Sequence, residues 1–419
     1  LPDKKSKQVV LKMGLVHVDN LEVDMVLSED VRDIKSRLLL TKGQKIQSKH
    51  IRIFKIWGIT EVGVVEENRD KKNNTEIHID PDKLERITEE TEFLFKHVDL
   101  SHPAIQELFR ISLLHRSRQE VDNRENIAPA SGDDLKAHSI RDVKKMIDGR
   151  EIKLPEMPST AFELNEIVAD PTASAHSIAE VVNKSPSLAT LLLKIVNSSF
   201  YGFPSKINNI SRAVTIIGTR EITGLALGLS IVKAFKDIPK EVIDISSFLR
   251  HSIACGIISR ILAAKKNIPQ TEQMFVAGLL HDIGRLIIYQ YFPEQAMTLL
   301  SQAAASDNLL FQQETRFLGG NHSLIGQYLL KEWKLPFELQ NNIFFHHNPL
   351  NAHDPIKATI IHLADIMVNA LRLGSSGERF VPFFDEKAWE NLKLSPGNFE
   401  TIIQHTIHQL VPLESFFQG

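Results

Sequence analysis

The sequence predicts a multi-domain, mainly α-helical protein: an all-α domain preceded by a small N-terminal α+β module and a helical hairpin. Three observations carry this reading. The chain has 419 residues, against a usual domain size of ~150, so two or three domains are expected. Its 42% hydrophobic and 24% charged content is that of a globular protein able to bury a core. Hydrophobic spacing also changes along the chain, from short strand-like runs before position 68 to helical periodicity from Asp82 onward.

Composition narrows the function classes. A net charge of -3 provides no global basic field for nucleic acid or an anionic membrane. Cys255 is the single cysteine, which excludes a disulfide framework. The start, LPDKKSKQVVLKMG, is charged and lacks the apolar stretch of a signal peptide. Apolar runs such as Gly224–Val232 fall short of the ~20 residues that span a bilayer. These features point to a cytoplasmic protein with neither nucleic-acid nor membrane partners.

The proposed domains are residues 1–68, 69–136 and 137–419. In the first, Leu21, Met25, Leu27 and Val31 alternate with polar residues as in a strand, and RLLLTKGQKI closes on a Lys42-Gly43 turn. Ser48 opens a short helix carrying Ile51, Phe54 and Trp57, with Gly58 suited to its C-terminal cap; Thr60–Val65 follows as a strand. Asn68–Glu76 reads as a linker. Leu84, Ile87, Thr91, Leu94 and Val98 then mark one amphipathic helix. Ser101 and Pro103 start a second, with Ile105, Leu108, Phe109 and Ser112 on one side. Gln119–Asp134 is poor in bulky aliphatics and reads as a mobile connector. Beyond 137 the pattern is helical throughout. Ser185-Pro186 starts one helix, FVAGLLHDIGRLIIYQYF forms another, and a third runs from Pro336 to His347, where Asn348-Pro349 ends it. This part contains no G-x-G-x-x-G and no P-loop.

Histidine is the informative residue. There are 17 in all, nine of them at or after position 251, and several of these stand beside each other or near aspartate: His251, His281 beside Asp282, His322, the pair His346-His347, and His362 one helical turn before Asp365. Imidazole and carboxylate together suit divalent transition metals, and helical bundles build metal sites from inward-facing side chains on several helices. Adjacent helical residues diverge by ~100°, so His281 and Asp282 would flank metal positions rather than stack. Gly284 would allow another backbone to approach. Asp282 follows the apolar run Phe275–Leu280, where an unpaired carboxylate is costly. Each residue alone also has a plainer reading: His347 on a helix dipole, His322 at a helix cap, His281-Asp282 as a bonded core pair. Together, separate histidines on several helices with two aspartates favour a metal. His362 would either orient Asp365 or simply pack. Phe200–Pro204 would pack in the core or stack a base, and Cys255 reads as a small buried hydrophobe.

The order His251, His281-Asp282, Asp365 resembles the HD superfamily of metal-dependent phosphohydrolases, and His322 and His346-His347 match further ligands of the two-metal HD-GYP branch. LPEMPSTAFELNEIVADP, SPSLATLLLKIVNSSFYGFP and FVAGLLHDIGRLIIYQYFP resemble the HDOD family, the HD-related output domains of bacterial signalling proteins, over about residues 140–370. The EDV, RLLLTKG and WGITEVGV segments resemble the small domain that precedes such domains in some proteins. The resemblance implies an all-α HD-type fold and metal ligands His251, His281, Asp282, His322, His346, His347 and Asp365. They would hold one or two divalent transition-metal ions, Fe or Mn first, Zn or Ni as alternatives. It also implies a regulatory module acting on a signalling protein partner or small nucleotide ligand, the alternative being a two-metal phosphohydrolase. In that alternative Asp282 and Arg285 are the catalytic residues, with Arg285 as a phosphate clamp where the family has lysine. NPLNAHDP follows His347 in place of a Gly-Tyr-Pro segment, which argues against cyclic di-GMP hydrolysis. Ser247 replaces the glutamate of three-metal members, which argues against a third ion.

Overall fold

The computed structural model describes residues 15–18, 21–32, 38–56, 59, 61–65, 81–119, 154–170, 173–198, 201, 203, 205–235 and 238–414. The chain divides into two compact units, residues 1–78 with 202–204, and residues 79–201 with 205–419. The expected linker Asn68–Glu76 and nearly all of the expected connector Gln119–Asp134 lie outside the described residues, as do Trp57, Gly58 and Phe200.

The smaller unit has four short strands, β1 (Leu15–His17), β2 (Val31–Arg32), β3 (Leu38–Leu40) and β4 (Glu61–Gly63). They form two antiparallel pairs: β1 with β4, Val16 opposite Val62, and β2 with β3, Val31 opposite Leu40. Helix α1 (Ser48–Ile56) adds Phe54 to a core with Leu27, Ile46, Val62 and Val64. The expected strand over Leu21–Val31 is broken. Asp24 takes φ 74°, a turn conformation that Asp tolerates, and only isolated bridges join Val26 to Lys45 and Leu27 to Val64. The turn at Gly43, φ 81°, stands where expected.

In the larger unit, α2 (Pro81–Leu94) and α3 (Pro103–Gln119) pack on each other. Ile87, Thr91, Leu94, Ile105, Leu108 and Ser112 are buried, as their spacing requires. Leu84 is instead exposed, and the buried face continues to Phe95, four residues past Thr91. Ser101 does not cap α3: its hydroxyl and backbone N–H both donate to Asp99, and His102 Nδ1 accepts from Ala104 N–H.

A run of helices follows: α4 (Ser159–Ala169), α5 (Ala175–Asn183), α6 (Pro186–Val196), α7 (Ile210–Ile217) and α8 (Thr219–Val232). The expected cap at Ser185 ahead of Pro186 is present, and Ser174 and Ser177 form a reciprocal box that the sequence reading did not single out. The centre is α9 (Ile245–Lys265), capped by Asp244 and buried nearly all round from Phe248 to Ala264, its buried polar residues including His251 and Arg260. Against it pack α10 (Thr271–Leu280) and, later in the chain, α16 (Pro355–Leu371) and α18 (Asn398–Leu410). Between these come α11 (Ile283–Tyr291), α12 (Pro293–Ser306), α13 (Leu310–Leu318), α14 (His322–Glu332) and α15 (Phe337–Phe344); α17 (Glu386–Leu392) follows α16. Among the described residues of this unit there is no strand.

Glycines let these backbones meet. A Cβ at Gly256 would lie 2.8 Å from the Phe275 carbonyl oxygen, and one at Gly278 would lie 2.7 Å from that of Cys255. The α9–α10 crossing is therefore tight enough to bring His251 to His281. A Cβ at Gly284 would fall 2.0 Å from the His322 carbonyl oxygen, so α11 crosses the start of α14 as closely.

Two helix boundaries differ from the sequence reading, and both differences shape the site. FVAGLLHDIGRLIIYQYF is not one helix: His281 ends α10 and Asp282 opens α11. The helix after Pro336 stops at Phe344, leaving His346 and His347 in the hydrogen-bonded turn before Pro349. Tyr201 is a packing residue. The Arg260 guanidinium lies 5.0 Å over its ring, and its hydroxyl donates to Glu272 at 3.2 Å, so that face is closed to a base.

Candidate metal centre

Five segments deliver the seven residues singled out as ligands. His251 comes from the middle of α9, His281 and Asp282 from the α10–α11 junction, and His322 from the first residue of α14. His346 and His347 come from the turn after α15, and Asp365 from mid-α16. All are buried except His347, which is partly exposed.

They gather in two adjoining groups. In the first, His251, His281, Asp282 and Asp365 each offer one ligand-type atom, all within 4.8 Å of one another. His251 Nε2 lies 3.3 Å from His281 Nε2, and each of these nitrogens is 3.4 Å from Asp365 Oδ1. In the second, His322 Nε2 lies 3.3 Å from His346 Nε2 and 3.0 Å from His347 Nε2. Asp282 faces both groups, with Oδ2 3.4 Å from His281 Nε2 and Oδ1 3.0 Å from His322 Nε2.

The surrounding hydrogen bonds determine which ring nitrogens are bare. His281 Nδ1 sits 2.7 Å from the Gly278 carbonyl and His346 Nδ1 2.6 Å from that of Ile343. A carbonyl only accepts, so each Nδ1 carries the proton and each Nε2 presents a lone pair. His322 Nδ1 points at the Glu314 carboxylate in the same way. In the neutral rings, the bare Nε2 atoms of His281 and His322 thus face the oxygens of Asp282 and Asp365, and that of His346 faces His322 Nε2, acceptors against acceptors in a buried space. Positive charge relieves such a set, as protons on the imidazoles of the metal-free protein or as a bound cation, for which the N and O donors fit a divalent transition metal.

The carboxylates favour positive charge at this place, carried in the metal-free protein by the imidazoles themselves. Burial lowers the pKa of His281, but the facing Asp282 and Asp365 outweigh it and hold the imidazole well above its usual range. Burial raises Asp282, yet Arg285, His281 and His322 keep it well below the ordinary carboxylate range. His346 is pushed down to about 3 by burial and by the nearby His281 and His322, so it stays neutral.

Three partners were not anticipated. Glu314 on α13 accepts from Arg285 Nε at 3.0 Å and from the His322 backbone N–H at 2.9 Å. Its signal was a carboxylate in a buried stripe, between Leu310 and Leu318 at four-residue spacing. Asn369 donates to Asp365 Oδ1 at 2.7 Å, and Ser376 accepts from Arg285 Nη1 at 2.7 Å. Arg285 also donates to Asp282 Oδ2 at 3.0 Å and is buried. Its guanidinium is thus committed within the protein rather than turned to a phosphate. His362 does not reach Asp365 as a partner. Its Nδ1 donates to the His346 carbonyl, and its Nε2 accepts from Asp385 N–H. Cys255 is fully buried and its thiol is pushed up by burial, as for a small hydrophobe.

Residues 154–349 match the family model of the HDOD domain. Over that stretch the chain is similar to the HDOD domain. A protein of Treponema pallidum (strain Nichols), itself uncharacterized, is 26% identical over 213 residues, 50% of this chain and 41% of its own length. The chain therefore spans less than half of that curated relative. Among solved structures, an HDOD protein of unknown function from Geobacter sulfurreducens matches with TM-score 0.53 and 19% identity, over 66% of this chain and 97% of that one. A chain from Shewanella amazonensis SB2B, provisionally named a phosphohydrolase, matches with TM-score 0.51 and 22% identity, over 65% and 97%. One from Marinobacter aquaeolei VT8, provisionally named a signal transduction protein, matches with TM-score 0.50 and 23% identity, over 64% and 60%. At these identities the likeness is one of fold, and the fold shared is all-α. No helix among the described residues is long and apolar enough to cross a membrane.

Proposed function

We propose that this protein is a signal-transduction protein whose HDOD domain binds a divalent metal and acts as a regulatory output module, through a protein partner or a small nucleotide ligand. The observation that carries the metal is the convergence of five histidine Nε2 atoms and two carboxylates, in two adjoining groups, within a largely buried space. His251, His281, Asp282 and Asp365 would hold one ion, and His322, His346 and His347 with Asp282 a second; iron or manganese is favoured, with zinc or nickel as alternatives. The signalling role is supported by the HDOD match and by the kind of name given to the Marinobacter neighbour. It is tested by assaying purified protein with natural phosphoesters. Turnover at an ordinary enzymatic rate, about 1–10³ per second, would contradict a purely regulatory role.

One observation favours a second reading, a two-metal phosphohydrolase: the Asp282 carboxylate faces both groups, one oxygen toward each. A divalent ion pair would supply Lewis acidity there. The protein's own contribution would be orientation. Asp282 is braced by Arg285, Asp365 by Asn369, and the histidines by backbone carbonyls and Glu314. The missing Gly-Tyr-Pro segment argues against cyclic di-GMP as substrate. Hydrolysis that survives Asp282→Ala with unchanged metal content would remove this reading.

A further inference from the structure

Glu314 lies outside the candidate ligand set, on α13, a helix that carries none of those residues. Its two carboxylate oxygens do different work. Oε1 accepts from Arg285 Nε, and Oε2 accepts from both the backbone N–H and the ring Nδ1 of His322. Arg285 in turn bonds Asp282 Oδ2, and Asp282 Oδ1 faces His322 Nε2. Glu314, Arg285, Asp282 and His322 thereby close a ring of alternating partners. Every member is buried, with Glu314 1% and His322 0% exposed. A ring of this kind allows little independent motion: turning the His322 imidazole breaks its Nδ1 bond to Glu314, and moving Glu314 breaks both bonds to His322 and loosens Arg285.

We propose that Glu314 is the positioning residue of the second histidine group, holding the His322 proton on Nδ1 so that Nε2 faces the cluster as a lone pair. The proposal rests on the metal-binding reading of the site and adds to it a residue that touches no candidate ion position. Outer partners of metal-bound histidines act in this way: they set the tautomer and ring orientation.

The test has two arms. Mn²⁺ binding to the full chain is measured by calorimetry for wild type and Glu314→Gln, with circular dichroism confirming the fold. The expected result is at least ~10-fold weaker binding in the variant, the usual cost of losing such a partner. Equal affinity in a folded variant overturns the proposal, whereas a wild type that takes up no Mn²⁺ overturns the site reading instead. Histidine ¹⁵N NMR of metal-free wild type at alkaline pH is the second arm, and it decides the matter if the variant does not fold. The His322 signal, identified by its loss in His322→Gln, is expected to show a protonated Nδ1 and a bare Nε2. A proton on Nε2 alone overturns the proposal.

Discussion

Asp282 takes part in more of the site than any other single residue: one oxygen is bonded to Arg285 and near His281, and the other is near His322. Replacing it with alanine removes a shared anion from both histidine groups and strips Arg285 of one of its two bonded carboxylates. Asp282→Ala is therefore expected to lose bound metal and to be destabilised by about 3–5 kcal/mol, the cost of breaking a buried charge pair. Elemental analysis and denaturant midpoints check the two effects separately. Protons compete for the same lone pairs. His281 and His322 are held above the ordinary imidazole value of 6.5, against the effect of burial, by Asp282 and by Glu314 respectively. Metal must therefore displace protons from them. Mn²⁺ affinity is expected to rise as pH climbs past 6.5, with proton release on binding. A flat profile across neutral pH would show that these nitrogens are not the ligands.

Whole elements reach the site through close backbone contacts, and there the consequences are for stability. A methyl at Gly284 would collide with the His322 backbone where α11 crosses α14. Gly284→Ala is expected to cost about 1–3 kcal/mol, as overpacking does, and to loosen metal binding by moving His322; a variant as stable as wild type would contradict the tight crossing. The segment after α16 contributes Glu378, whose carboxyl burial pushes up to about 7 even though Arg285 and three backbone N–H groups oppose the shift. A carboxyl raised this way binds a proton more readily folded than unfolded, so its contribution to stability falls as pH rises from 4.5 toward 7. Glu378→Gln should remove that slope. Urea midpoints of wild type and variant that run parallel over this window would contradict it. Much at this scale was legible in the sequence. Helical spacing placed Ile87, Leu94 and Leu108 in the core, and the Ser185-Pro186 start stood where expected. Chain order and family resemblance picked out His251, His281, Asp282, His322, His346, His347 and Asp365, which the fold gathers into two adjoining groups. The helix break at His281-Asp282 was not legible, because the apolar pattern runs straight through it. It reflects a tertiary demand, the approach of α14 to Gly284. Glu314 escaped for a related reason: a carboxylate in a buried stripe declares itself only once Arg285 and His322 are seen to meet it.

Across the whole molecule, the polar cluster is an element of stability as well as of chemistry. Seven buried or half-buried side chains, five histidines and two aspartates drawn from five segments of the larger unit, converge there, and the donors Arg285 and Asn369 reach only the two carboxylates. An ion that binds only the folded chain adds stability by mass action, about 2.7 kcal/mol at a hundredfold excess over its dissociation constant. Stripping the protein with chelator should lower its melting temperature, and Mn²⁺ or Fe²⁺ should restore it. An unchanged melting temperature would mean that the cluster is satisfied by protons alone. The most direct test is elemental analysis of protein purified without chelator. One or two equivalents of a divalent transition metal per chain are expected, falling to background in Asp282→Ala; less than about half an equivalent of any such metal in wild type would contradict the metal centre.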